Sequence, residues 1–246
     1  MKKNGLIWII YQPYKWLIYL PFLIVNSLFF SLVAIILTII AGQKVANKIV
    51  GINWSKSCSF MVPMQVKVTG KENMKKDTSY VIVANHQSMF DIFLLYGWLG
   101  IDIRWIMKKE LFKVPGIGYA SKKVGHIFID RSNPKCAMQS LNEAKEKLKN
   151  GTSVVIFPEG TRSRTGEVGN FKRGAFKLAL ELDLPLLPLT IIGTRKILPS
   201  YGFDLLPGKV ELVIHPPIHN SDNDIGKCRE LTRKTRESIL LPFKTE

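Results

Sequence analysis

Between Leu20 and Gly42 the chain reads LPFLIVNSLFFSLVAIILTIIAG, 23 consecutive residues without a charge. As a helix, such a run can cross a hydrocarbon core of about 30 Å. Whatever the remainder builds must therefore fold beside a lipid-compatible segment. The preceding stretch, Leu6 to Leu20, is also apolar and carries Trp8, Tyr11, Tyr14, Trp16 and Tyr19, side chains that favour the headgroup layer. Lys2 and Lys3 could open a secretory signal. However, the apolar stretch far exceeds an h-region of roughly 7–15 residues, and no clear A-x-A-like site follows. Lys2, Lys3 and Lys15 precede the long run, and Lys44, Lys48 and Lys56 follow it, so charge bias gives no orientation across a bilayer. Basic flanks on both sides fit a helical hairpin embedded from the cytoplasmic face, with Pro13 and Pro21 as breaks between two helical pieces. A single span is the competing reading.

Beyond residue 60 the pattern changes. MQVKVTG and KVELVIH alternate with period two, while SYVIVAN, HIFID, TSVVIF and LPLLPLTIIG read as buried strands. Helical patterns lie between them, over Met89 to Leu99, Pro134 to Asn150, Lys172 to Leu182 and Ile225 to Leu240. Strands alternating with helices predict an α/β fold, a mainly parallel mixed sheet flanked by helices. The expected division is 1–58 for the membrane-associated helices and 59–246 for the α/β domain. In such sheets, sites form at the carboxyl ends of strands.

Three polar clusters stand at predicted strand ends. NHQSMFD follows SYVIVA, DRSN follows GHIFI, and PEGTRSRTG follows TSVVIF. In the first, His86 is a candidate general base, and Asp91 could fix its tautomer. Five residues along one helix turn well past a full circle, so these two would not face each other within it. His86 is therefore predicted in the turn before a helix and Asp91 in its first turn. Ser88 and Asp91 also form an S-x-x-D capping box, and Ser88 reads as the cap, not a nucleophile. In the third cluster, Gly160 allows close backbone approach and Arg162 can fork onto a phosphate. A structural Glu159–Arg162 pair is the blander alternative. Arg131 and Lys108 are further phosphate candidates, although a lone Arg or Lys is more often simply solvated. Lys172, Arg173 and Gly174 mark a helix N-terminus, a natural anion site.

A formal net charge of +16 suits polyanions, including anionic lipid, phosphorylated substrates and acidic carriers. No recognisable nucleic-acid motif accompanies it, and G-x-S-x-G and the P-loop are absent. Cys58, Cys136 and Cys228 lack zinc or disulfide spacing, and the four histidines lack metal spacing. Free thiols in a reducing compartment are expected; His215 and His219 look like loop residues.

The four blocks NHQSMFD, GHIFIDR, FPEGTRS and LPLLPLTI, in this order and spacing, resemble those of the 1-acylglycerol-3-phosphate O-acyltransferases (lysophosphatidate acyltransferases). The resemblance covers roughly residues 60 to 215 and takes in the apolar N-terminus, which is similar to a two-helix membrane motif of bacterial members. It implies that His86, oriented by Asp91, deprotonates the sn-2 hydroxyl of lysophosphatidate. The alkoxide then attacks an acyl thioester of coenzyme A or acyl carrier protein, giving phosphatidate. It implies that Arg131, Arg162 and Lys108 hold the acceptor phosphate and that Glu159 and Gly160 shape its pocket. No metal or other cofactor and no nucleic-acid partner is expected. An anionic phospholipid membrane is, with the catalytic domain on the cytoplasmic face of the cytoplasmic membrane. Another lyso-lipid or glycerol-3-phosphate is the alternative acceptor. A membrane-anchored polyanion-binding protein is the distant alternative.

Overall fold

The computed structural model describes residues 6–75, 77–130, 148, 150–202, 204–219 and 225–244. Helix α1 (Leu6–Tyr14) passes through a π-helical segment, Lys15–Tyr19, into the long helix α2 (Leu20–Met61). The chain does not break at its prolines. Pro13 lies inside α1, just before the wider π turn, which can absorb a missing backbone donor. Pro21 stands in the first turn of α2, where no N–H is needed. The break is at Gly42, with φ 80° and ψ 167°, a conformation that side-chain-bearing residues avoid. The two arms fold back on each other there. The Asn26 Nδ2 donates to Ser57 Oγ at 2.9 Å, Trp54 Nε1 to Ser27 Oγ at 3.0 Å, and the Tyr14 hydroxyl to the Met61 carbonyl at 2.6 Å. The expected hairpin is present, turned at a glycine.

Seven strands form one sheet: β1 (Met64–Thr69), β2 (Val81–Ala84), β3 (Asp102–Lys108), β4 (Ile127–Ile129), β5 (Thr152–Ile156), β6 (Leu186–Ile192) and β7 (Gly208–Ile214). Their spatial order is β1-β7-β6-β2-β5-β3-β4; of the six pairs among these strands, β6–β7 is antiparallel and the others parallel. This is the mixed, mainly parallel sheet that the alternation predicts. Strand β3 was not foreseen, because Asp102 and Arg104 interrupt the apolar run. One face carries Ile82, Ala84, Leu187 and Leu189, packed against α3 (Phe90–Trp98) and the second hairpin arm. The other face carries Val81, Val83 and Leu186, packed against α5 (Gly174–Leu182) and α7 (Ile225–Leu240). Helices α4 (Ile117–Lys123) and α6 (Thr194–Ile197) complete the described set. The helix expected over Pro134 to Asn150 lies almost wholly outside the described residues, as do Arg131 and Cys136; Cys58 and Cys228 are buried free thiols.

A buried polar network fastens the hairpin to the sheet. The Asn47 amide donates to Asp102 Oδ1 at 2.7 Å and to the Ile103 carbonyl at 2.8 Å, and accepts from the Tyr96 hydroxyl at 2.7 Å. Asp102 also accepts from Thr152 Oγ1 and pairs with Arg104. The Tyr96 hydroxyl spends its one proton on Asn47, so His126 Nε2, 2.7 Å away, must be the donor to it. His126 Nδ1 then accepts the Trp105 backbone N–H. Burial first, and Arg104 second, push the His126 imidazole down to about 3, which matches a ring held neutral by its neighbours.

Candidate active site

The carboxyl end of β2 is held from both sides before it reaches His86. Asn85 is fully buried. Its side-chain amide donates to the Ile191 carbonyl at 2.9 Å and accepts the Ile191 N–H at 2.7 Å. It thus extends the β2–β6 pairing by one residue, standing in for a peptide group. On the β5 side, the His86 N–H donates to Glu159 Oε1 at 2.8 Å, and the His86 carbonyl accepts the Ser163 N–H at 2.8 Å.

His86 lies before α3, and Asp91 is the second residue of that helix. Asp91 Oδ2 faces His86 Nδ1 at 2.7 Å and accepts the backbone N–H groups of Gln87 at 2.7 Å and Ser88 at 2.9 Å. The capping box is half made. The Asp91 carboxylate reaches back to Ser88, but Ser88 Oγ accepts from Phe90 N–H and donates to the Leu198 carbonyl at 2.6 Å. With the carboxylate on Nδ1, the proton resides there and Nε2 carries the free lone pair. The Phe157 ring stacks on the imidazole, centroids 3.9 Å apart and planes 9° off parallel. The His86 side chain is 15% exposed and that of Asp91 is fully buried. The arrangement offers one oriented, partly accessible base. Phe157 and Asn85 were not singled out from the sequence, although Asn85 adjoins His86 and Phe157 lies two residues before Glu159.

Glu159 is buried, and its second oxygen accepts the Gly169 N–H at 2.9 Å. Burial raises its carboxyl above the usual range, against the lowering effect of the Gly169 and His86 N–H groups. No Glu159–Arg162 ion pair forms among the described residues; the carboxylate braces the loop backbone instead. Gly160 has φ 75°, and a Cβ there would come within 2.8 Å of Lys172 Nζ. Lys172 therefore stands directly over the turn, and its own N–H donates to the Pro158 carbonyl. Arg162 is half-buried in the same loop. Lys108 is exposed at the carboxyl end of β3, two strands from β2. Among the described residues, His86, Asp91, Glu159, Gly160 and Arg162 are brought together, with Lys172 added. No cluster of three or more metal-ligating side chains occurs among them.

A family model described as Acyltransferase matches residues 65–192. The chloroplastic 1-acyl-sn-glycerol-3-phosphate acyltransferase LPAT1 of Arabidopsis thaliana is 40% identical over 179 residues, 72% of this chain and 50% of that protein. The 1-acyl-sn-glycerol-3-phosphate acyltransferase of Pseudomonas aeruginosa is 34% identical over 187 residues, 74% of this chain and 72% of that one. The yeast protein of the same name, from Saccharomyces cerevisiae, is 34% identical over 217 residues, with 86% and 71% covered. The chain thus spans about half the length of the chloroplast relative. The crystal structure of the 1-acyl-sn-glycerophosphate acyltransferase PlsC from Thermotoga maritima is similar, with a TM-score of 0.72 and 30% identity. The likeness covers 97% of this chain and 92% of that one.

Proposed function

The chain belongs to the acyltransferase family, and from that premise we propose that it transfers an acyl chain from a thioester to the sn-2 hydroxyl of lysophosphatidate. The observation that carries the reading is the free Nε2 of an Asp91-held His86, set beside a cationic loop that is hydrogen-bonded to His86 itself. Nε2 takes the hydroxyl proton, and the alkoxide oxygen forms a bond to the thioester carbonyl carbon. The tetrahedral intermediate collapses with cleavage of the carbon–sulfur bond. The leaving thiolate recovers the proton from the imidazolium, whose charge Asp91 stabilises. The acceptor phosphate sits against Arg162 and Lys172, with Arg131 and Lys108 as further partners. Glu159 and Gly160 shape this pocket. The donor is acyl coenzyme A or acyl carrier protein.

The relatives, 1-acyl-sn-glycerol-3-phosphate acyltransferases by name, support the acceptor. The exposed apolar side chains of the hairpin support membrane attachment, among them Leu17, Ile39 and Ile40, each about three-quarters exposed. In this reading residues 1–58 hold the protein to the cytoplasmic membrane, and 59–246 do the chemistry on its cytoplasmic face. Full-length protein in mixed micelles, given lysophosphatidate and each donor, should form phosphatidate. His86→Ala should lower kcat roughly 10²–10⁴-fold with the thermal midpoint preserved. Retained turnover in that variant would refute His86 as the base. Arg162→Ala should mainly raise KM for lysophosphatidate. Preference for glycerol-3-phosphate or another lyso-lipid in the same assay would reassign the acceptor.

A further inference from the structure

Strand β2 has β5 on one side and β6 on the other, all three parallel. The loops leaving these neighbours therefore both pass His86. Both carry cations. After β5 come Arg162, Arg164, Lys172 and Arg173; after β6 come Arg195 and Lys196. None of the six has an ion-pair partner among the described residues. Arg195 and Lys196 line a cavity of about 360 Å³, together with Gln87, Gly166, Pro199, Tyr201 and Phe243. The Arg195 Nη2 donates to the Arg164 carbonyl at 2.9 Å, and its guanidinium lies 5.9 Å from the centroid of the Tyr201 ring. Its Nε is buried without a partner among the described residues. Gln87, next to His86, reaches the same cavity wall through a 3.1 Å bond to the Gly166 carbonyl.

We propose that this cavity binds the phosphate of the acyl donor's phosphopantetheine arm. The inference rests on the acyl-transfer reading, which requires two anionic substrates. In the acceptor, the phosphate and the reacting hydroxyl share one glycerol backbone, so that phosphate must sit close to His86. The loop bonded to the His86 backbone at two points meets this need. In the donor, a long flexible arm separates the thioester from the phosphate. That phosphate need not sit at the base, and Arg195 and Lys196, on the loop after β6, are the cations left for it, in a cavity that Gln87 and Gly166 border. Arginine and lysine together suit a phosphate, and the exposed Tyr201 ring offers a stacking face for a nucleotide base. The phosphopantetheine phosphate is common to coenzyme A and acyl carrier protein.

The test uses Lys196→Gln, and Arg195→Gln with Lys196→Gln, in full-length detergent-solubilised protein of unchanged thermal midpoint. KM should rise roughly tenfold or more for acyl coenzyme A and acyl carrier protein. It should not change for acyl-pantetheine, which lacks the phosphate, nor for lysophosphatidate. Coenzyme A binding by titration calorimetry should weaken in parallel. Tyr201→Ala separates the two sources: a loss confined to acyl coenzyme A assigns its nucleotide to the cavity, and equal losses assign the shared phosphate alone. An unchanged donor KM in the double variant, or an equal rise with acyl-pantetheine, overturns the proposal while leaving acyl transfer intact. Coenzyme A binding that Lys196→Gln weakens, in a protein making no phosphatidate, would uphold the phosphate site and overturn the acyl-transfer reading.

Discussion

Glu159 touches the chemistry only through other groups. Its two oxygens hold the N–H of His86 and the N–H of Gly169, so it ties the base to the loop that carries Arg162. Glu159→Gln keeps the shape but turns one acceptor into a donor facing an N–H. A buried mismatch of that kind costs about 1–3 kcal/mol. The expected result is a fall in kcat with little change in the lysophosphatidate KM, and a Glu159→Ala variant should be worse. A rise in KM alone would instead make Glu159 a direct acceptor ligand. Asn85 argues similarly. Asn85→Asp removes the donor to Ile191 and sets a carboxylate against a carbonyl, so a lower thermal midpoint and a lower kcat should appear together. The His86–Asp91 pair was legible in the sequence because both ends lie within five residues, where local turn geometry decides the outcome. Phe157 stacking on His86 was not, since it depends on two strands meeting in the sheet.

At the scale of elements, the hairpin and β3 show where sequence patterns mislead. Proline is a strong breaker by type, yet Pro21 sits where a helix tolerates it and Pro13 where a π turn follows. A single glycine ending an apolar run made the turn. Strand β3 was hidden because Asp102 and Arg104 are buried charges; they pair with each other, and the further partners of Asp102, Asn47 and Thr152, lie about fifty residues away in either direction. Removing one partner of such a network leaves the others unsatisfied. Asn47→Leu strips Asp102 and Tyr96 of a bond each and should cost about 2–4 kcal/mol, read as a lowered thermal midpoint.

His126 gives the same network a pH signature. Its folded value of about 3 lies below its unfolded value near 6.5, so the unfolded chain takes up the proton first. Stability is therefore full above about pH 6.5 and is lost as pH falls toward 3. The limiting slope is about 1.4 kcal/mol per pH unit. Thermal midpoints measured between pH 7 and 5 should fall more steeply in the parent than in His126→Gln. Parallel curves would remove His126 from the account. His215, lowered by burial, acts in the same direction in both proteins. It lies in the loop after β7, as its place before Pro216 and Pro217 suggested, but is buried there, with Nε2 2.8 Å from Thr190 Oγ1.

Across the whole molecule, the apolar surface of the hairpin continues onto the α/β unit. Leu111, Phe112, Val114 and Tyr119 are exposed, Gly116 packs against Leu28 of the hairpin, and Lys122 and Lys123 lie over the Phe112 and Tyr119 rings. Apolar side chains ringed by lysine suit an anionic headgroup layer. An environment-sensitive dye on Phe112→Cys should shift to the blue on anionic vesicles. An unshifted spectrum would place that edge in water.

Tyr19, at the end of the π segment, stacks on Phe90, their centroids 6.5 Å apart. Phe90 precedes Asp91, so the apolar hairpin touches the first turn of the helix that orients the base. In the proposed reaction, lysophosphatidate held in the layer that the hairpin enters reaches such a site by lateral diffusion in two dimensions. Turnover should then follow the mole fraction of lysophosphatidate in the interface, not its bulk concentration. Diluting the micelle with inert detergent at constant total substrate should slow the reaction.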